Sequence, residues 1–241
     1  MISFEALLIN KEEIAPGIFF LTFKKNGDIL FKFKPGQYLI VTIPSGQGSV
    51  KRLYSIASPP ETQTFSLLIK RVEGGVGSTY LSNLLPGEAV PMSGPAGLFS
   101  FQESPAHKIF LTTGTGLAPV KSFISTYKNL PMSLFWGLQT MRDVYFLDFF
   151  KKTRLENPLF NYRVCLSRES LLDRSKEKDT SVFFPGRINE ALEFYMGSTF
   201  QSLGRNSFEY YICGSRAVVD SLKEQLLSSG TEKDHIFFEK Y

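Results

Sequence analysis

The chain is poor in the residues that build metal clusters and disulfide frameworks. Its 241 residues include 2 cysteines and 2 histidines. Cys165 and Cys213 are far apart, and each lies in a hydrophobic run that reads as a strand. Two such thiols imply neither a disulfide framework nor a metal site, and an iron–sulfur centre lacks its ligands. His107 and His235 flank strands and read as structural residues. No apolar run reaches the length of a membrane span, and Met1 to Asn10 has no charged lead followed by an apolar block. A soluble, cytoplasmic protein is the expectation. Charge is also modest, at 21% of residues with a net +4. That excludes a disordered chain and the concentrated Lys/Arg stripe of a nucleic-acid binder. The surplus suits anionic nucleotides or an acidic protein partner, and on a chain of this size it equally carries no meaning. Internal repeats and low-complexity tracts are absent.

What is present is a globular composition, 43% hydrophobic with 23 phenylalanines, and a length sufficient for two domains. The first hundred residues read as antiparallel strands over Ile2–Ile9, Ile18–Lys24, Gln37–Ile43, Lys51–Ala57 and Phe65–Arg71. Turn chemistry separates them at Pro16-Gly17, Asn26-Gly27-Asp28, Pro35-Gly36, Pro44-Ser45-Gly46 and Pro59-Pro60. Such spacing predicts a barrel or sandwich. A short helix over Ser78–Leu85 interrupts it, and Gly94 to Pro105 reads as an exit loop. From His107 the rhythm becomes strand then helix. Strands are expected at His107–Thr113, Met132–Gly137, Tyr162–Ser167, Phe208–Cys213 and His235–Phe238, and helices at Leu117–Leu130, Arg142–Phe150, Arg187–Phe200 and Ala217–Leu227. Repeated units of this kind predict a parallel sheet covered on both faces, with strand order 3-2-1-4-5. Asp173–Thr180 reads as a charged surface loop. The domains are expected at 1–102 and 103–241.

Six places carry chemistry. Arg52-Leu53-Tyr54-Ser55 lies on a strand, where alternation points Arg52 and Tyr54 the same way. A guanidinium and a phenol so placed suit a ligand with an anionic tail and a flat ring. Alone, the pattern equally fits an ordinary half-buried strand. Gly74-Gly75-Val76-Gly77-Ser78 opens the short helix, an arrangement of free N–H groups that favours an anion, although Ser78 alone reads as an N-cap. Gly114-Thr115-Gly116-Leu117-Ala118-Pro119 joins a strand to a helix as a phosphate-binding turn does, with Pro119 where a third glycine is usual. Cys213-Gly214 ends the neighbouring strand, at the topological switch point of the sheet; as a lone cysteine, Cys213 also fits a small buried hydrophobe. Ser167-Arg168-Glu169 ends a further strand, where a cation favours a ribose 2′-phosphate and an acid the bare hydroxyl. Glu169 leaves open the alternative that Arg168 merely pairs with it. Tyr241 closes the chain near the carboxyl edge of the sheet, where its ring suits a flat ligand.

Taken in order, Pro35-Gly36-Gln37-Tyr38, Arg52 to Ser58, Leu68-Ile69-Lys70, Gly75 to Ser78, Gly94-Pro95, Gly114 to Pro119, Ser167-Arg168-Glu169, Cys213-Gly214 and Glu239 with Tyr241 resemble the ferredoxin–NADP reductase family of flavoproteins. The resemblance spans nearly the whole chain. It implies an N-terminal β-barrel that binds FAD and a C-terminal Rossmann-like domain that binds NADPH. It further implies Arg52 and the N–H groups of Gly75, Val76, Gly77 and Ser78 on the FAD pyrophosphate, Tyr54 on one isoalloxazine face, Ser55 near flavin N5 and Tyr241 on the opposite face. Leu53, Leu68, Ile69 and Lys70 join the flavin site. Thr115, Gly116 and Pro119 would meet the NADPH pyrophosphate, Ser167 and Arg168 its 2′-phosphate, and Cys213 with Gly214 the nicotinamide. Ser55, Cys213, Glu239 and Tyr241 are the catalytic set implied, with no metal.

The resemblance implies an enzyme that moves hydride between NADPH and FAD and single electrons to or from a separate ferredoxin or flavodoxin, acting as a monomer. Three features depart from it. The stretch between Lys70 and Ser78 is short and offers no evident aromatic platform for adenine, which leaves FMN open. Trp136 to Thr140 lacks the Arg that many relatives carry after Gly137. Lys240 adds a charge between Glu239 and Tyr241. The competing readings are an NADH-dependent reductase component of an oxygenase, a free-flavin reductase, and a regulatory subunit that binds nucleotide without turnover.

Overall fold

The computed structural model describes residues 2–25, 31–46, 48–60, 63–169 and 180–241. The turn expected at Asn26-Gly27-Asp28 and most of the loop expected at Asp173–Thr180 lie outside these residues. The chain forms two compact units, Met1–Gln102 with Ala118–Tyr127, and Glu103–Leu117 with Lys128–Tyr241. Among the described residues no helix is long and apolar enough to cross a membrane.

The first unit is an antiparallel sheet of six strands. These are β1 (Ile2–Ala15), β2 (Ile18–Lys25), β3 (Tyr38–Ser45), β4 (Gly48–Ser55), β5 (Thr64–Lys70) and β6 (Ala89–Ala96), in the order β4-β3-β6-β1-β2-β5. The two end strands meet. Ile56, just past β4, bridges Leu67 of β5, and Ala57 N–H donates to Ser66 O at 2.8 Å. This closure makes the curled sheet a barrel and removes its edges. Alternation fills the interior: Leu39, Val41 and Ile43 of β3, Leu21 and Phe23 of β2, and Phe65, Leu67 and Ile69 of β5 share one core. Helix α1 (Val76–Asn83) adds Leu81 to that core, as does Leu84 just beyond its end.

β6 is not among the expected strands, and its last residues, Gly94 to Ala96, fall in the stretch expected as an exit loop; Pro91 and Pro95 are of a residue type seldom found inside a sheet. The inward positions Val90, Met92 and Gly94 nevertheless alternate with outer ones, and the strand lies between β1 and β3. Helix α2 (Leu117–Thr126) contributes most of its length to this unit. Ser122 Oγ donates to Ser58 O at 2.6 Å, and the Phe123 ring stands 5.4 Å from that of Phe99.

The second unit is a six-stranded parallel sheet. Its strands are β7 (His107–Thr113), β8 (Met132–Leu138), β9 (Phe160–Leu166), β10 (Phe183–Pro185), β11 (Phe208–Gly214) and β12 (Ile236–Lys240), ordered β10-β9-β8-β7-β11-β12. The five expected strands stand in the expected order, and β10 is an additional edge strand of three residues. Helices α3 (Leu147–Glu156), α4 (Ile188–Leu203) and α5 (Arg216–Ser228) complete the unit. Covering on both faces explains why β11 is buried along its whole length.

Helix α3 begins five residues later than the expected Arg142 start. Thr140 and Asp143 form a capping box that closes a single 3-10 turn at Met141–Asp143, after which Val144 is extended. At the opposite end of this sheet from the glycine turn, fully buried Lys108 donates to Glu209 at 2.7 Å. Burial opposes ionisation of Glu209, but hydrogen bonds from Lys108, Ser104 and Tyr211 outweigh it and hold the carboxyl below its ordinary range.

Candidate functional site

In the first unit the structure brings Arg52, Tyr54 and the turn before α1 together. A Cβ built on Gly77 would stand 2.8 Å from the Tyr54 hydroxyl, 2.9 Å from Arg52 Cγ and 3.0 Å from Ile43 Cδ1. Both β4 side chains therefore lie against the first turn of α1, and only a glycine leaves them room. Arg52 is exposed, its Nη1 donating to Lys51 O at 2.9 Å. Tyr54 is half-buried; burial raises its pKa while Arg52 opposes the rise, so the phenol stays protonated.

Ser55 ends β4 opposite Tyr38 and is half-buried. Leu53 is exposed, Leu68 and Ile69 are buried, and Lys70 at the end of β5 is exposed. The side chains of Leu68 and Ile69 are thus turned to the interior or covered, and only their backbone is left to offer a ligand.

The N-cap of α1 is Gly75, and Ser78 makes no cap bond in the usual sense. Its buried hydroxyl accepts Val72 N–H at 3.0 Å and donates to Gly75 O at 3.3 Å, closing the turn from inside. The exposed Val76 leads the helix. Beside this turn lies an open cleft of about 800 Å³, lined in part by Arg71, Val72, Val76, Thr79 and Tyr80.

In the second unit Gly114-Thr115-Gly116 forms a 3-10 turn between β7 and α2. Gly114 has φ +51°, a left-handed value that favours glycine. Besides the Leu117 N–H that closes the turn, its carbonyl accepts two side-chain hydrogen bonds, from Trp136 Nε1 at 3.1 Å and from Tyr145 Oη at 2.9 Å. Burial pushes the Tyr145 pKa well up, which keeps that hydroxyl a donor. Gly116 packs on the next strand: a Cβ there would lie 2.5 Å from Cys213 O. A Cβ on Gly214 would meet Thr113 Oγ1 at the same distance. Pro119 is buried in the first turn of α2, as a proline at that position allows.

Tyr241 reaches the turn from the end of the chain. Its hydroxyl accepts Gly116 N–H at 2.9 Å and donates to Thr113 O at 3.1 Å, while Tyr241 N–H donates to Gly214 O at 3.3 Å. The residue as a whole is 63% exposed, but desolvation of its hydroxyl between Gly116 and Thr113, with a contribution from Cys213, pushes its pKa up to about 12. Cys213 is buried opposite Glu239 in the β11–β12 register; burial, then Glu239, raises its pKa well above normal, so the sulfur is a thiol and not a thiolate. Thr115, Gly116, Cys213, Gly214, Glu239 and Tyr241 thus gather at the carboxyl ends of adjacent strands β7, β11 and β12.

Ser167 and Arg168 sit beyond β9, two strands away from β7. Their backbone N–H groups donate to Leu138 O at 3.0 Å and Gln139 O at 2.9 Å. Both side chains are exposed. The Glu169 carboxylate accepts Met141 N–H at 2.9 Å. The histidines serve the sheet: His107 Nε2 is 2.9 Å from Ser133 Oγ and His235 Nδ1 is 2.9 Å from Phe208 O. Sequence reasoning missed Trp136 and Tyr145. A lone tryptophan and a tyrosine shortly after a strand read as core aromatics, and only the fold shows both aimed at one carbonyl.

Comparison with known proteins accounts for nearly all of this framework. The oxidoreductase FAD-binding domain family matches residues 5–101, and the oxidoreductase NAD-binding domain family matches residues 110–224. A ferredoxin–NADP reductase B of Sorangium cellulosum is 29% identical over 245 residues, covering 99% of this chain and 97% of that protein. The chain belongs to the ferredoxin–NADP reductase family. The family makes it an NAD(P)H oxidoreductase, a flavoprotein that uses FAD and a pyridine nucleotide.

The toluate 1,2-dioxygenase electron transfer component of Pseudomonas putida is 23% identical, covering 99% of this chain and 67% of that one. A ferredoxin NADP+ reductase from Neisseria gonorrhoeae, solved with bound FAD and NADP, shares the fold with a TM-score of 0.80 at 18% identity, covering 99% of this chain and 98% of that one. The residues present fit the family's ligands. Gly77 and Gly116 each stand where a Cβ would collide, so at both turns the backbone is bare of a side chain, as close approach of a phosphate requires, with the Gly116 N–H held by the Tyr241 hydroxyl.

Proposed function

We propose that the protein transfers hydride between NADPH and FAD and exchanges single electrons with a separate carrier of the ferredoxin or flavodoxin type. Bound FAD supplies the two-electron to one-electron conversion; the chain binds, orients and shields. In the first unit Arg52 neutralises the flavin pyrophosphate beside the N–H groups of Val76 to Ser78, Tyr54 packs on the ring and Ser55 hydrogen-bonds its edge. The cleft lined by Tyr80 and Arg71 suits the AMP half of FAD in volume and chemistry, which favours FAD over FMN. In the second unit Thr115 and Gly116 receive the nucleotide pyrophosphate, and Cys213, as a neutral thiol, packs against the nicotinamide without adding charge. Glu239 orients and exchanges a proton, and Tyr241 yields its place. The residues 1–102 and 103–241 then act as flavin and nucleotide modules.

The observation that carries the choice of NADPH is the bond from Met141 N–H to Glu169. With the carboxylate engaged there, exposed Arg168 is available to a 2′-phosphate. A second reading is an NADH-dependent reductase of an oxygenase system. It is favoured by the lack, between Gly137 and Thr140, of the arginine that many relatives carry after this glycine, and by the likeness to the toluate dioxygenase component.

The test is the absorbance spectrum and released flavin of the purified protein, followed by turnover with each nucleotide. Yellow protein releasing FAD, with higher kcat/KM for NADPH and cytochrome c reduction dependent on added ferredoxin or flavodoxin, supports the proposal. Colourless protein that reduces added flavin, or a preference for NADH, refutes it.

A further inference from the structure

The loops that follow β8 and β9 are joined by four hydrogen bonds. Ser167 N–H and Oγ–H both donate to Leu138 O, at 3.0 and 3.2 Å, and Arg168 N–H donates to Gln139 O at 2.9 Å. Two of these are backbone bonds that continue the pairing of the two strands, and the third comes from the Ser167 hydroxyl. The fourth depends on a carboxylate: Glu169 Oε2 accepts Met141 N–H at 2.9 Å.

Met141 opens the 3-10 turn Met141–Asp143, and the first N–H of a helical turn has no partner within it. The turn is closed upon itself by Thr140 N–H and Oγ–H donating to Asp143 Oδ2 at 2.9 and 3.0 Å. It is therefore a preformed unit, and the Glu169 bond is what ties its leading edge to the end of β9. The residues on either side of this bond are cationic. Arg142 follows Met141, Arg168 precedes Glu169, and both are exposed.

We infer that Glu169 is a positioning residue for nucleotide choice: its carboxylate anchors the Met141–Asp143 turn so that Arg142 joins Arg168 at the 2′-phosphate of NADPH. The inference rests on the assignment of Arg168 to that phosphate made above. Two guanidiniums suit a dianionic phosphate monoester better than one. The geometry also gives an acidic residue at a strand tip an unusual part. A carboxylate placed there ordinarily accepts the ribose hydroxyl of NADH. Here an oxygen of that carboxylate is held by a backbone N–H, so the acid favours the phosphorylated nucleotide by holding a cation in place. Arg142 then supplies a cation just beyond Trp136 to Thr140, a stretch that has none.

The experiment uses the flavin-loaded protein. Calorimetry with 2′-phospho-AMP and with AMP measures binding, and steady-state rates give kcat and KM for NADPH and NADH. Glu169→Ala is expected to weaken 2′-phospho-AMP about tenfold, the scale of one charge-assisted contact. AMP affinity should be unchanged, and KM for NADPH should rise while kcat holds. Glu169→Gln keeps an amide oxygen for Met141 N–H and should remain within about twofold of the parent on the same scale. Arg142→Ala, an exposed change that leaves the fold intact, should reproduce the Glu169→Ala loss, and the double variant should be no worse than either single one.

Equal weakening of AMP and 2′-phospho-AMP, a silent Arg142→Ala, or a Glu169→Gln as damaging as Glu169→Ala overturns the inference. Arg168→Ala separates the two layers. If it abolishes the preference for 2′-phospho-AMP while Glu169→Ala does not, only the positioning role fails. If it leaves the preference intact, the 2′-phosphate assignment fails and the inference with it.

Discussion

At Gly75 the first unit closes its turn with Ser78 of the helix that follows, whereas at Gly114 the second unit uses donors from elsewhere, Trp136 of β8 and Tyr145 of the β8–α3 connection. The contrast extends to charge. The first turn has Arg52 against it, a cation whose stem packs on Gly77. The N–H of Gly116 in the second is covered by a neutral phenol, Tyr241. A turn with its own guanidinium is suited to a ligand that stays. A turn covered by a removable hydroxyl is suited to one that comes and goes. The units differ in their interiors too. The buried polar side chains of β5 and α1 are hydroxyls, Ser66, Ser78 and Ser82, while β7 and β11 bury the Lys108–Glu209 pair.

The largest effect should come from the interiors. Lys108→Ala strands the Glu209 carboxylate in the sheet and is expected to cost about 3–5 kcal/mol. Ser58→Ala, which leaves Ser66 N–H without its acceptor, should cost about 1–3 kcal/mol. Urea denaturation measures both, with the single tryptophan, Trp136, reporting the second unit. Similar losses would erase the distinction. Because the Glu209 pKa is depressed, its contribution is full above the ordinary value of 4.5 and is lost as pH falls through the folded value. The parent should therefore lose stability in acid that Lys108→Ala lacks from the start.

The turns themselves are separated by a pair of variants. Arg52→Ala should weaken flavin retention by about 1.5–3 kcal/mol, the worth of hydrogen bonds to a charged partner, with little change in nucleotide affinity. Gly116→Ala forces a Cβ onto the Cys213 carbonyl and should weaken nucleotide binding by about 1–3 kcal/mol, with flavin retained. Equilibrium dialysis of each ligand decides, and crossed effects would show that the two turns do not serve separate ligands.

The smallest expected change is the most specific. Tyr241→Phe removes the hydroxyl that accepts Gly116 N–H and should tighten nucleotide binding by about 0.5–1.5 kcal/mol. With its pKa raised from 10.0 to about 12, the phenol contact is intact below pH 10 and lost as pH rises through 12. The difference between parent and variant should therefore stay constant from pH 6 to pH 9, and a slope in that window would remove the cover assigned to Tyr241.

Much of this arrangement was legible in the chain before folding. Gly-x-Gly between an apolar run and a helical period placed the second turn, and alternation along β4 paired Arg52 with Tyr54. What escaped depends on partners distant in sequence. Ser78 has the look of an N-cap, and only the path of Val72 shows it closing the turn instead. β6 escaped too, a strand with two prolines whose inward positions are ordinary. Glu169 was read against its neighbour Arg168, yet its partner is the N–H of Met141, 28 residues away. Local patterns specify local geometry; they do not say which distant backbone group a carboxylate will find.

The sheet of the second unit, unlike the barrel, has open sides, and β12 is one of them. Its outward ring, Phe238, is 38% exposed, with Lys223 Nζ 4.1 Å and Lys240 Nζ 5.4 Å from the ring centroid. A foreign strand adding to this border meets the Lys223 ammonium and the Lys240–Asp220 ion pair, both of which must lose water before any backbone hydrogen bond is gained. The same cations that cover the phenylalanine therefore guard the molecule against edge-to-edge aggregation.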